Sequence, residues 1–168
     1  MRTLLEKYAT RRNLFILLIL VILCNVSLLV YYWDFDEPIL DTYIYYSTGE
    51  AYKAIENYGE YDRQRYIRGT LMLDFVYPII YCLMLAFAIF RLNESIRVSI
   101  APLCILPIDY LENVLIIFMI SKFPTRYDVA ASVAGIMTLT KWTLVAMCLL
   151  GILVLFFARI FSKKSKFQ

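Results

Sequence analysis

Three polar side chains stand together in the otherwise apolar stretch P-L-C-I-L-P-I-D-Y-L-E-N, residues 102–113. On a helix Asp109, Glu112 and Asn113 fall at i, i+3 and i+4, so all three project from one face. Ionisable groups at membrane depth are costly and mark functional sites by default. Such a set could take up a proton, a cation or the basic group of a ligand, or it could do acid–base work. Pro107, just before it, removes the hydrogen bond to the Leu103 carbonyl, which predicts a kink.

Other apolar runs carry further polar groups. Asp74 is followed by Tyr77, Pro78 and Tyr81. Pro78 deprives the Asp74 carbonyl of its helical partner, so carboxylate and free carbonyl form a patch of acceptors that wants a donor. Solvation of Asp74 from outside is the alternative. Lys141 is the lone charge of the last apolar run. Counting ~1.5 Å per residue, Asp109 and Lys141 lie ~17 and ~18 Å from the ends of their spans, near the midplane. Lys141 paired with Glu112 or Asp109 could be purely structural, fixing helix packing. Asn25 and Asn113 read as interhelical hydrogen-bond glue. Tyr77 and Tyr81, one turn apart, offer rings to packing and hydroxyls to polar neighbours.

The membrane set holds three acids, Asp74, Asp109 and Glu112, against one base, Lys141, a net −2 if all are ionised. The balance must come from protons, a bound cation, a basic ligand, or an arginine folding in from a loop, such as Arg68. Protons are the least demanding source, and Asp109 and Glu112 would then titrate as a coupled pair.

The elements that position these groups are apolar helices. The chain has 168 residues, 61% of them hydrophobic, and a mean hydropathy of +0.66, well above a soluble domain. Four spans are expected at Leu14–Trp33, Thr70–Phe90, Val98–Ser121 and Val129–Ala158. The last is thirty residues long, so it is tilted or protrudes. The first ends in Tyr31, Tyr32 and Trp33, an interfacial aromatic belt rather than a cleavage site, and reads as an uncleaved helix. The fold class is therefore all-α, a four-helix transmembrane bundle in one domain.

Between the first two spans, residues 34–69 form a polar connection with eight acidic and four basic residues. Within it Ser47 and Glu50 fit a capping box that starts a short amphipathic helix, and Gly59 fits its stop. A second short helix from Glu60 runs on toward the next span. Tyr43, Tyr45, Tyr46, Tyr52, Tyr58, Tyr61 and Tyr66 cluster here. They suit a segment resting at headgroup level, or a lid over the bundle. Small residues at Ala130, Ala131, Ala134, Gly135 and Thr138 allow close approach of another helix to the Lys141 face of span four.

Four spans put both termini on one side. That side carries ten Lys/Arg, including the tail, and the other carries six. The positive-inside rule then places both termini in the cytoplasm of a cell (inner) membrane and the acidic connection outside. There is no histidine, which removes the usual metal ligand and general base. Cys24, Cys82, Cys104 and Cys148 form no C-x-x-C, so no metal site and no cofactor is expected. Nothing supports nucleic-acid binding.

The strings D-F-V-Y-P-I-I-Y, P-I-D-Y-L-E-N-V and T-L-T-K-W, with S-T-G-E-A-Y in the connection, resemble an uncharacterised family of small bacterial four-span membrane proteins from about Ser47 to Leu150. The resemblance implies the architecture and the polar set, and no activity. Four-span sterol-isomerase-like proteins are similar in helix count and buried carboxylates, but their pattern uses a histidine, so their activity is not carried over.

Three functions remain open. One is a binding or transport-type protein with an outward pocket lined by Asp74, Tyr77, Tyr81, Asp109, Glu112, Asn113 and Lys141. It would take a proton, a cation or a small basic or amphipathic ligand. The second is an accessory subunit, within a homo-oligomer or beside another membrane protein, whose charges only fix packing. The third is an intramembrane enzyme using Glu112 or Asp109 as acid/base and Lys141 as electrostatic stabiliser. Four helices enclose little volume, which counts against an autonomous conduit.

Overall fold

The structure, a computed structural model, describes residues 2–164, so the end of the basic tail, with Lys166, lies outside it. It is an all-α membrane protein with four helices long and apolar enough to cross a bilayer: Arg11–Tyr31, Gly59–Asn93, Ile96–Lys122 and Asp128–Phe161. A short helix α1 (Arg2–Tyr8) precedes α2 (Arg11–Tyr31), which is the first span. The Thr10 side chain caps α2 by accepting from the Asn13 N–H.

The second span starts earlier than its apolar stretch. Helix α3 (Thr48–Asn57) opens on the Ser47–Glu50 capping box and ends at Gly59, whose positive φ of 64° suits glycine. Helix α4 (Gly59–Gly69) then runs into a π-helical turn, Thr70–Asp74, and after Phe75 and Val76 into α5 (Tyr77–Asn93). Pro78 lies in the first turn of α5 and has no N–H to give, so the helical ladder is interrupted just ahead of it. The Tyr110 hydroxyl donates to the Phe75 carbonyl at 2.8 Å inside this break.

The third span is also interrupted. It comprises α6 (Ile96–Ser99), a 3₁₀ turn (Ala101–Cys104) and α7 (Ile105–Lys122). Pro107 therefore sits in the first turn of α7, where its missing N–H is harmless, and starts a helix instead of kinking one. Helix α8 (Asp128–Lys164) is one unbroken rod of 37 residues, ~55 Å long, and outreaches the ~30 Å hydrocarbon core.

Helix α8 packs most closely on α7 and then on α5, whereas α2 packs chiefly on α5 and has no buried residue. Helices α2 and α8 scarcely touch. The bundle is thus closed on the α7 side and open along a seam between the first and last spans.

The connection between the first two spans is not a surface layer. Tyr46, Tyr52, Tyr58 and Tyr66 are buried together with Ile39, Leu40 and Ile55 against Ile116, Met119, Ala131 and Ala134 of α7 and α8. Only Tyr45 and Tyr61 of the seven tyrosines are strongly exposed. The segment is a folded cap over one end of the bundle, because its rings bury more apolar area against the helices than headgroup level would offer. Arg65 anchors the cap to α2, donating to the Tyr31 carbonyl at 2.8 Å and to Asp34 at 2.8 Å. That bond holds the Asp34 carboxyl below the usual range.

The small-residue face of α8 serves this cap as well as α7. A Cβ on Gly135 would stand 2.3 Å from the Tyr46 carbonyl oxygen, a backbone atom that cannot swing aside. Gly135→Ala is therefore expected to lower stability by about 1–3 kcal/mol, read as a fall in Tm in detergent. Gly151→Ala is the control, since nothing lies within 4 Å of its added carbon. Equal melting of the two variants would mean that the cap does not rest on α8.

Candidate functional site

The polar groups meet beneath the cap. Lys141, on α8 and 4% exposed, reaches Glu112 of α7, with Nζ 2.8 Å from Oε2. Its ammonium also pairs with Asp41 of the cap. The Thr138 hydroxyl, one turn from Lys141, donates to Glu112 Oε1 at 2.6 Å. Glu112 is fully buried: Oε1 takes the Thr138 hydrogen bond and Oε2 lies in the ion pair with Lys141.

Asp109 is not the partner of Lys141. Its Oδ2 accepts from the Tyr81 hydroxyl at 2.6 Å and its Oδ1 from the Asn113 amide at 3.1 Å. Asn113 thus bonds within its own helix, four residues on, and does not bridge helices. Asn25 does bridge them, donating to the Tyr77 hydroxyl at 2.8 Å and to the Val21 carbonyl at 2.8 Å. The Tyr77 and Tyr81 rings meet edge to face at 5.2 Å between centroids.

Asp74 sits on the π-helical turn and is 3% exposed. Its Oδ2 has no hydrogen-bond partner among the described residues. A single π turn shifts the register of the residues after it and recurs at functional sites. Here it presents Asp74 to a cavity of about 170 Å³ that Asp41, Asp109 and Lys141 also line.

Of the residues singled out from sequence, Asp74, Tyr77, Tyr81, Asp109 and Lys141 line that cavity. Glu112 and Asn113 do not; they stand behind it, holding Lys141 and Asp109. Arg68 does not fold in: it is exposed and its Nε donates to the Gln64 carbonyl, 3.3 Å away on its own helix.

What folds in is another acid. Asp41 lies in a 3₁₀ turn, Leu40–Thr42, and is one of the eight acidic residues of the polar connection. The turn is pinned by Tyr58, whose hydroxyl donates to the Pro38 carbonyl at 2.8 Å, and by Tyr66, whose hydroxyl accepts from the Asp41 N–H at 3.4 Å. The signal was present: Asp41 follows P-I-L, an apolar run in a polar stretch, and Ile39 and Leu40 are both buried. A residue next to such an anchor is held against the bundle.

Four acids now face one base, a net −3 if all are ionised. Ligand oxygens of Asp41, Asp109 and Glu112 lie within 4.8 Å of one another, a spacing that would suit a metal ion. Two of those three carboxylates already hold the Lys141 ammonium, so an ion would have to displace it. The arrangement divides into a tethered ion pair set, Asp41–Lys141–Glu112, and a pair of carboxyls, Asp74 and Asp109, that line the cavity and make no ion pair among the described residues.

No known protein-family model matches the chain, and no curated protein or solved structure matches it.

Proposed function

We propose that this protein binds the cationic group of a small basic or amphipathic ligand in the membrane, using Asp74 and Asp109. The observation that carries this reading is the buried Asp74 carboxyl, which belongs to the cavity wall and has one oxygen without a hydrogen-bond partner among the described residues. A buried acceptor without a donor costs about 1–3 kcal/mol, and of the four residues with such a group among those described, Tyr46, Thr70, Asp74 and Glu112, Asp74 is the one that lines the cavity. The lysine set supports a scaffold role for its own half, since a tethered ammonium between two carboxylates fixes the cap to α7 and α8. Tyr81 and Asn113 hold the Asp109 carboxyl in place and leave its remaining lone pairs for the ligand.

The protein belongs, on this reading, in the cell membrane with both termini in the cytoplasm and the cap outside. The ten Lys/Arg on the termini side against six on the other support that orientation. Lys53 in the cap and Asn93 at the other end are both exposed and suit single cysteines in a background lacking the native four. Lys53→Cys is expected to react with an impermeant maleimide in intact cells, and Asn93→Cys only after lysis. The reverse pattern overturns the orientation.

Native mass spectrometry of protein purified in nonionic detergent tests the binding reading. The wild type is expected to carry a nitrogenous small molecule, and Asp109→Asn to carry none. An empty wild type that also binds no added organic cation leaves the buried acids with the accessory role.

A further inference from the structure

The cavity has a direction. Its acids, Asp41, Asp74 and Asp109, lie on the cap side, and its apolar residues Met84, Leu85, Val145 and Leu149 lie further along α5 and α8, away from the cap. Leu149 lies ~12 Å from Lys141 along α8, and Leu85 lies ~16 Å from Asp74 along the second span. A volume of about 170 Å³ spread over that length is a narrow slot, well under the ~300 Å³ at which pockets for compact drug-sized ligands begin. It has room for a small cationic head and the first part of one thin chain, whose remainder would lie along the seam; a two-chain lipid is too wide.

The slot is also open at the side. Val21 of α2 and Trp142, Val145 and Leu149 of α8 face each other across it, and these two helices scarcely touch. A second cavity of about 680 Å³ adjoins it, sharing Asp41, Tyr77 and Trp142. That vestibule is walled by the lipid-facing residues Val26, Leu28 and Leu29 and by the acids Asp36 and Glu37 of the cap. An amphiphile lying in the outer leaflet would meet acid at headgroup level and an apolar seam just below it.

We infer that the ligand is a single-chain cationic amphiphile taken from the bilayer through the seam between α2 and α8. Its head rests against Asp74 and Asp109 and its chain lies between Val21 and Leu149. This rests on the cation-binding reading above and adds the chain and the lateral route. The charge of the head matches the acids that lack a counter-ion, and the single chain matches the slot. Entry from the bilayer matches the sparse contact between the first and last spans.

The probes are tritiated tetramethylammonium and dodecyltrimethylammonium, bound to the full chain in nonionic detergent, with the free concentration corrected for partition into micelles. The dodecyl compound is expected to bind the wild type at least about tenfold more tightly. Leu149→Trp, which fills the slot, is expected to remove that advantage while leaving tetramethylammonium binding within about twofold. Equal affinity of the two probes, unchanged in Leu149→Trp, overturns the chain and the seam while the cation reading stands. Failure of both probes on the wild type overturns the cation reading and this inference with it. A dodecylammonium bearing a terminal diazirine gives an answer even if Leu149→Trp does not fold. Label on α2 and α8 near Val21, Val145 and Leu149 supports the inference, and label confined to cap residues 35–42 overturns it.

Discussion

Lys141→Met is expected to lower stability by about 3–5 kcal/mol, the largest loss of any single substitution in the bundle. The lysine is buried and stands between Glu112 and Asp41. Methionine fills much of the same volume, so the loss is electrostatic in origin. It leaves two carboxylates with no counter-charge, one of them fully buried. It also removes the ionic tie between Asp41 and the bundle, so the cap should open to protease near Pro38–Ser47 before the helices melt. The rescue is specific. Adding Glu112→Gln and Asp41→Asn to Lys141→Met should recover a large part of the loss, because the orphaned charges go with their partner. Adding Asp109→Asn instead should recover little, since Asp109 is held by Tyr81 and Asn113. Thermal unfolding in one detergent, compared across the set, reads both effects. Additive losses in the triple variant would mean that the three residues are not coupled.

Charge within long apolar runs is a strong signal, because the bilayer makes it costly, so Asp74, Asp109, Glu112 and Lys141 stand out without a structure. Helix periodicity places Asp109, Glu112 and Asn113 on one face, and they do share it. Pairing is another matter. Lys141 has two acids within reach of its long side chain by sequence, and only packing decides that Glu112 takes it. Asn113 satisfies Asp109 within one turn, which spacing permits as readily as a bond across helices. Asp41 was missed because exposure in a loop is the ordinary state of an acid. The apolar P-I-L run marks an anchor beside it, but its place against Lys141 depends on tertiary contacts of Leu40, Tyr58 and Tyr66. Pro107 predicts a kink from sequence, but a missing N–H serves a helix start as well, and Pro107 lies in the first turn of α7.

Asp74→Asn is expected to move stability and binding in opposite directions. The carboxyl is buried with one oxygen unpartnered, and Asp41 and Asp109 line the same cavity. An amide there has nearly the same shape, removes one acid from a crowded set and supplies two N–H donors to acceptor-rich surroundings. It should raise the unfolding free energy by about 1 kcal/mol or more, seen as a higher Tm. The same change removes the group that would meet the ligand's cation. Affinity for an organic ammonium probe should fall about tenfold or more, because a close charge–charge contact in a desolvated site is worth at least ~1.4 kcal/mol. Glu112→Gln should behave differently: it breaks the lysine set, lowers Tm and leaves probe affinity less affected, since Glu112 lies behind the cavity. A scaffold gains nothing from an unsatisfied buried acceptor, whereas a binding site tolerates one until the ligand arrives. If Asp74→Asn loses stability and keeps its affinity, Asp74 is part of the scaffold and the ligand is held elsewhere.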